Sequence, residues 1–331
     1  MPETLTREAA EALVAAALAA AGANPNMARL TAAALVGAEL IGQAGHGLSR
    51  VTQYTAFLRN GRADGGAVPT LAAFRPGAAL IDAHHGLAYP ALALAEAEGA
   101  ARARTQGVAF IGITNSHHSG AMGLPVARLA RAGLVALAFT NSPAAMPVAG
   151  GHRPLLGTNP VAAAFPRAPP HPPLVVDLAL STVARGRISN HAMRGEPIPE
   201  GWALDAAGQP TTDARAALTG SLMPIGGTKG AMLALVVELL CVAITGAAFG
   251  FEADSFFSDE GNRPRLGQAL LVIDPGALAG QGTYLTRIEA LITAMLDDDG
   301  VRLPGLRHAA TPDTLDLSDA MAHTLRNLAR T

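Results

Sequence analysis

The chain of 331 residues is half apolar and 15% charged, with a net charge of −2. That balance describes a core-rich globular protein, excludes a disordered chain and leaves no basic footprint for nucleic acid. Its single cysteine, Cys241, excludes an intrachain disulfide framework and a cysteine-rich zinc site, and the length predicts two domains.

Residues 5–22 read as an alanine-rich helix capped by Thr6 and stopped by Gly22. Glu3, Arg7, Glu8 and Glu11 interrupt its apolar residues, the pattern of a soluble helix and not of a targeting segment, so a cytoplasmic location is expected. A second helix is predicted over 26–42, a polar glycine-bearing loop over 43–50 and a third helix over 51–60. The texture changes near residue 66. Short strands are predicted across 68–82, a helix over 90–104, a buried strand over 107–114, a helix over 124–131, and strands over 134–140, 159–165 and 174–180. Helical character returns over 183–200, followed by a turn-rich connector over 201–212. A further strand is predicted over 268–273, and helices over 285–297 and 314–330. The expected organisation is a helical part over 1–65, a mixed α/β domain over 66–280 and a second helical part over 281–331 that packs with the first. No G-x-G-x-x-G follows a predicted strand, so the usual dinucleotide fingerprint is absent.

The stretch 231–250 carries one charge, Glu238, in 20 residues. Its length permits a membrane span, but a carboxylate near the centre is costly there, so a fully buried helix is expected and no membrane partner. Just before it, LMPIGGTKG at 222–230 holds Lys229, the only lysine in the chain. Gly226, Gly227 and Gly230 free the backbone beside a helix N-terminus, a setting suited to an anion.

Three other loops carry chemistry. In GHGLSR at 45–50, His46 and Arg50 stand four apart, so a histidine able to move a proton accompanies an arginine able to grip a carboxylate. TNSHHSG at 114–120 follows a buried strand, where α/β sheets hold ligands, and offers His117 and His118. A metal is not expected there, because no carboxylate stands three or four residues on and no cysteine is near. GTNP at 157–160 is a tight turn in which Thr158 can donate to a ligand. DLALS at 177–181 ends a strand with an acid and small residues, and Arg185, Arg187 and Arg194 follow it. His84, His85, His152, His171, His191, His308 and His323 read as structural or exposed.

Taken in order, HGLSR, NSHHSG, GTNP, DLALS, LMPIGGTKG, GQALLVIDP at 267–275 and RLPG at 302–305 resemble the LDH2-type malate/L-lactate dehydrogenase family from end to end. The resemblance implies an α/β protein with a non-Rossmann NAD(P)-binding sheet domain and a helical domain built from both chain ends. It implies a homodimer acting on a small carboxylate substrate. The reaction expected is hydride transfer to C2 of a cyclic 2-imino acid (Δ1-piperideine-2-carboxylate or Δ1-pyrroline-2-carboxylate) or a 2-oxo acid. The alternative within the family is oxidation of a 2-hydroxy acid such as malate, lactate, sulfolactate or ureidoglycolate. Carried over by motif, His46 is the proton donor, His118 a catalytic base beside the nicotinamide, Arg50 the carboxylate anchor and Thr158 a substrate contact. His118, Ser119, Gly120, Ala121, Asp177, Leu178, Ala179, Thr228, Lys229, Pro304 and Gly305 match cofactor-contacting segments. Arg185 and Arg187 lean the cofactor toward NADP(H) over NAD(H), since arginine suits a phosphate. The chain departs from the family at Gly45, where a serine is usual, and at Arg187, where an imine reductase carries an acid. Those departures favour a second class, a member that binds cofactor or acid without turnover. A third class is a metal-dependent lyase or hydrolase built on His117 and His118.

Overall fold

The computed structural model describes residues 3–305 and 312–330. Strand β1 (Glu3–Thr6) leads into α1 (Arg7–Ala20), whose N-cap Thr6 side chain accepts from the Ala9 amide. Helix α2 (Pro25–Leu40) opens on Asn24, which caps the Met27 amide, with proline in the first turn. Two short 3-10 turns, Ala44–His46 and Leu48–Arg50, deliver the chain into α3 (Val51–Arg59).

The centre of the molecule is a seven-stranded sheet. Its strands are β2 (Thr70–Arg75), β3 (Ala78–Asp82), β4 (Val108–Ser116), β5 (Val135–Thr140), β6 (Val161–Phe165), β7 (Leu174–Leu178) and the late strand β11 (Leu266–Ile273). The spatial order is β2-β3-β4-β11-β5-β6-β7. Only β3 and β4 are parallel, joined by the crossover helix α4 (Ala88–Gln106), which stops at left-handed Gly107. Strand β11 enters antiparallel between β4 and β5. Helices α4 and α5 (Gly123–Arg131) pack against the sheet. Helix α8 (Thr228–Glu238) and the π-helical turn Leu239–Ala243 also pack against it, at β5 and β11. Coverage on both faces is why residues 269–273 of β11 read as an apolar run, with Gln268 before them bonded to the His117 carbonyl at 3.1 Å.

One core joins α1–α4 to the sheet; a second lies around Met146, Leu180, Ile188 and Cys241, under α6 (Arg185–Arg194), α7 (Ala214–Thr219) and α8. The connector over 201–212 contributes β8 (Ala203–Leu204) and β9 (Pro210–Thr211), which with β10 (Ser221–Leu222) make a small three-stranded sheet. Helix α9 (Gln281–Leu296) rests against the β6–β7 loop through an Arg167–Glu289 ion pair of 2.7 Å and a bond from Tyr284 to the Pro166 carbonyl.

Two expectations are corrected. The segment 314–330 is not one helix: Thr314–Leu317 is β12, paired antiparallel with β1, and Ser318 caps α10 (Asp319–Leu328). Leu315 and Leu317 face inward while Asp316 meets the Thr4 hydroxyl at 2.6 Å, a period of two that a short run hides. The apolar stretch after residue 230 is not fully buried either. Met232, Leu233, Leu235, Val236, Leu239 and Ile244 are exposed, because the apolar residues surround the helix and the sheet covers one side. Among the described residues no helix is long and apolar enough to cross a membrane. His308 lies outside the described residues.

The carboxylate of Glu238 is turned inward and only 2% exposed. It accepts from Asn141 Nδ2 (3.3 Å), Asn159 Nδ2 (2.6 Å) and the Gly250 amide (2.8 Å). Burial raises its pKa, and these donors pull it back. Glu238→Gln keeps the volume but sets an NH2 donor against other donors. It is expected to cost about 1–3 kcal/mol, read as a lower urea midpoint at unchanged slope.

Candidate active site

The 43–50 loop is shaped by a carboxylate at its back. Glu39 Oε2 accepts from the Leu48 amide at 2.8 Å, and a Cβ on Gly47 would lie 2.1 Å from that same oxygen. Any side chain where the two 3-10 turns meet would have to displace that carboxylate and its bond to Leu48. The loop brings Arg50 back onto its own start: Nε donates to the Gly45 carbonyl (2.7 Å) and Nη1 to Gln53 (2.8 Å).

At the end of β4, Asn115 takes a left-handed conformation (φ 50°), and the two histidines that follow diverge. His117 points into the core, its ring 5.2 Å from Phe57 and 5.1 Å from Phe256, with neither nitrogen partnered. His118 points into the cleft and stacks on His46, ring centres 5.4 Å apart and planes 19° off parallel. Its Nδ1 lies 2.6 Å from the Tyr54 hydroxyl, which is 3.1 Å from the Tyr89 hydroxyl.

Two adjoining cavities share His46, His118, Ser142, Thr158 and Ala179. The larger, about 240 Å³, adds Arg50, Arg185 and Phe257. The smaller, about 160 Å³, adds Gln43, Ser119, Gly120, Asp177 and Leu178. Asp177 is tied in place by the Gly123 amide at the start of α5 (2.8 Å) and by Gln43 Nε2 (3.4 Å); burial raises its pKa. The Thr158 amide donates to Ser142 Oγ at 3.0 Å. Burial, then the Arg50 charge, holds the His46 pKa down to about 4. The same two causes, followed by the neighbouring histidines, push His118 well below the ordinary value. Both imidazoles are neutral at neutral pH, so each offers one N–H and one lone pair.

The structure thus gathers His46, Arg50, His118, Ser119, Gly120, Thr158, Asp177, Leu178 and Ala179 about one cleft. Ala121 lines a different cavity, together with Ser119. Pro304 and Gly305 pack beside β7, where the Val175 amide meets the Pro304 carbonyl at 3.4 Å. Thr228 and Lys229 are exposed on the first turn of α8 and line neither cavity. Arg185 and Arg187 part company. Arg185 lines the larger cavity, donating to the Leu218 carbonyl (2.6 Å) with its guanidinium 5.4 Å over Phe257. Arg187 lies 5.1 Å over the Trp202 ring. Among the described residues no group of three His, Cys, Asp or Glu side chains is arranged to hold a metal ion.

The sequence reading missed Tyr54, Tyr89, Gln43 and the loop bearing Phe256 and Phe257. A signal existed for the tyrosines. The chain has three, and Tyr54 continues the four-residue spacing of His46 and Arg50. The Phe256 loop gave none, since it is held by Arg62, nearly 200 residues away, whose Nη1 donates to the Ser258 carbonyl at 2.6 Å.

A mixed sheet without the dinucleotide fingerprint, where the turns between α2 and α3 set an imidazole and a guanidinium against a second imidazole at the end of β4, belongs to an oxidoreductase of the non-Rossmann dehydrogenase class. Residues 5–314 match the malate/L-lactate dehydrogenase family, and the chain belongs to it. It is 48% identical to the (2R)-3-sulfolactate dehydrogenase (NADP(+)) of Chromohalobacter salexigens over 99% of either chain. It is 39% identical to a Δ1-pyrroline-2-carboxylate/Δ1-piperideine-2-carboxylate reductase of Pseudomonas putida, over 86% of this chain and 84% of that one. Among solved structures, the Δ1-piperideine-2-carboxylate reductase of Pseudomonas syringae pv. tomato superposes with a TM-score of 0.92 at 35% identity, covering 98% of this chain and 99% of that one. The sulfolactate dehydrogenase of Methanocaldococcus jannaschii superposes with a TM-score of 0.89 at 28% identity, covering 99% and 97%.

The buried histidines make stability acid-sensitive. Unfolded, each titrates near 6.5; folded, His46 titrates near 4 and His117, fully buried, near 3. The unfolded chain binds more protons between those values. Stability is therefore lost as pH falls below 6.5, at about 1.4 kcal/mol per pH unit for each histidine. His117→Phe keeps the ring contacts and removes one titration, so the urea midpoint of that variant should fall less steeply with acid. An unchanged slope would argue against a neutral buried His117.

Proposed function

We propose that the protein is an NADP(H)-dependent oxidoreductase that interconverts a small dianionic 2-oxo acid, 3-sulfopyruvate, with the corresponding 2-hydroxy acid. The observation that carries this reading is the pair Arg50 and Arg185 on one cavity that also holds both imidazoles. Neither guanidinium is in an ion pair with a carboxylate among the described residues. Arg50 takes the carboxylate and Arg185 the second anion, each by charge-assisted hydrogen bonds. His46 gives a proton to the carbonyl oxygen, and His118, on the same cavity, is the second imidazole able to supply one; both work as neutral imidazoles, which suits a donor that must not hold its charge in a buried cleft.

The smaller cavity suits a flat, amide-bearing ring. Gln43 Oε1 and His46 Nδ1 are buried there without partners, and Gly120 at φ 68° brings backbone close. Ser119, Gly120, Asp177, Leu178 and Ala179 would hold the nicotinamide, which supplies the hydride for C2 when bound. Ala121, Thr228, Lys229, Pro304 and Gly305 are assigned to the rest of the cofactor by the family resemblance alone. NADP(H) is favoured by the sulfolactate relative, whose name specifies NADP(+). With Arg185 in the substrate cavity, the sequence argument from that residue no longer bears on the cofactor's phosphate.

A second reading, reduction of a cyclic 2-imino acid, is supported by the pseudomonad relatives and by the apolar wall of Phe256 and Phe257. Such a substrate carries one carboxylate and leaves Arg185 without an anion, and Arg187 stands where that branch was expected to carry an acid.

We also propose a homodimer in the cytoplasm. The exposed apolar face of α8 has the character of an obligate interface, and the helix bears its one carboxylate on the opposite side. Leu235→Glu is expected to move the particle from twice 33.6 kDa to the single-chain mass in light scattering.

NADPH consumption with 3-sulfopyruvate, oxaloacetate, pyruvate and Δ1-pyrroline-2-carboxylate tests the substrate. Arg185→Met should lose about 100-fold in kcat/KM on 3-sulfopyruvate, some 2.7 kcal/mol, and little on pyruvate. Arg50→Ala should lose as much on every acid. Turnover of the imine alone would move the assignment to the second reading.

A further inference from the structure

We propose that Tyr54 and Tyr89 conduct protons between His118 and a separate cavity behind the active site. This rests on the oxidoreductase reading above. The rear cavity, about 290 Å³, lies between α2, α4 and α5 and is lined by Ala34, Tyr89, Leu92, Ser119 and Leu124. The Glu96–Arg128 ion pair of 2.6 Å is also part of its wall, and the Arg128 side chain is half exposed, so the cavity meets solvent.

The connection is continuous. His118 Nδ1 and the Tyr54 hydroxyl are 2.6 Å apart, and the Tyr54 and Tyr89 hydroxyls 3.1 Å. Tyr54 is wholly buried and lines none of the three cavities, while Tyr89 lines the rear one. Among the described residues the Tyr89 hydroxyl bonds only to Tyr54, leaving capacity for a water from the cavity. A Cβ on Gly120 would fall 2.5 Å from that hydroxyl, so glycine there keeps the position open.

The chemistry explains the need. Reduction consumes one proton per turnover, while substrate and cofactor fill the cleft and part its imidazoles from solvent. As His118 gives the proton on its cleft-facing nitrogen to the site, where His46 and the substrate oxygen share it, Nδ1 takes the Tyr54 proton. Tyr54 takes that of Tyr89, and Tyr89 takes one from cavity water, which draws one from bulk. One proton enters per turnover; the two tyrosines and His118 stay neutral but with their donors reversed, and rotation of the two hydroxyls and of the His118 ring resets the chain for the next proton. Oxidation runs the chain backward. Burial favours this neutral shuttle over ionised intermediates, since it raises the Tyr54 pKa to about 12 and that of Tyr89 well above its ordinary value, and lowers His118.

Tyr89→Phe removes one hydroxyl and little else. In ring-15N-labelled protein with the cleft closed by NADP(+) and 3-sulfopyruvate, a pair that cannot react, solvent exchange of the His118 ring N–H, read by NMR, should slow on the order of tenfold in this variant. With 3-sulfopyruvate and NADPH, kcat should fall on the order of tenfold at unchanged KM and NADPH affinity, and imidazole buffer should restore it. Exchange and kcat at wild-type values would overturn the conduit. So would a loss of kcat accompanied by weaker NADPH binding and no buffer rescue, which is the signature of a packing role. Failure of the wild-type enzyme to turn over any of the acids would instead remove the functional reading, with the exchange measurement still deciding the conduit.

Discussion

Three of the turns around the cleft, at 141–142, 158–159 and 250, depend on one buried carboxylate. Glu238 sits on the inner side of α8 and faces amide N–H groups instead of a cation. Asn141 ends β5, Asn159 precedes β6, and Gly250 begins the segment leading to Phe256. Asn141 in turn accepts from the Gly267 amide at 2.9 Å, where β11 enters the sheet. A carboxylate with several donors is satisfied without an ion pair, and each donor fixes a different stretch of chain. Ser142 and Thr158, both on the cleft, stand one residue from the two asparagines. The placement of the substrate-facing turn is thereby tied to a charge in the core of the second layer, several residues from any ligand.

Burial and one guanidinium set the character of the cleft. His46 and His118 are stacked and near Arg50, and burial and that charge both act against protonation of either ring. A pair of imidazoles that cannot both charge behaves as a neutral hydrogen-bonding unit, with direction set by its tautomers. The arrangement differs from an acid–base pair at an exposed surface, where solvent would supply and remove protons freely. It also accounts for the two tyrosines beneath His118: buried hydroxyls are paired with one another and with the ring, as buried polar groups must be.

Much of this was legible in the sequence, and for definite reasons. GHGLSR, NSHHSG and DLALS stand at strand or helix ends and carry polar residues that packing does not require, among them His46, Arg50, His118 and Asp177, which the structure draws into one cleft. The strands over 107–114 and 134–140 were readable because both faces are covered and the run is unbroken. What failed needed tertiary information. Nothing local says that His117 turns inward and His118 outward, since the choice is made by Phe57 and Phe256 from distant parts of the chain. Arg185 reads in the sequence as suited to a cofactor phosphate, and only the Leu218 carbonyl and Phe257 set it on the substrate cavity. The apolar run after 230 carries no period that distinguishes a face buried by the sheet from a face left open.

The two departures from the family pattern acquire a physical meaning together. Gly45 offers no side chain to His46, and Arg187 is engaged with Trp202, so neither orients the imidazole. His46 Nδ1 is buried and without a partner among the described residues, while the ring stacks on His118. A buried lone pair or N–H without a partner is costly, and a bound polar group that met it would recover that cost. The tautomer of His46 is then chosen by what occupies the cleft, whereas Tyr54 fixes the orientation of His118 from below. Orientation by ligand in one imidazole and by protein in the other is a division of labour that a serine before His46 would remove, because its hydroxyl would compete with the ligand for the same ring.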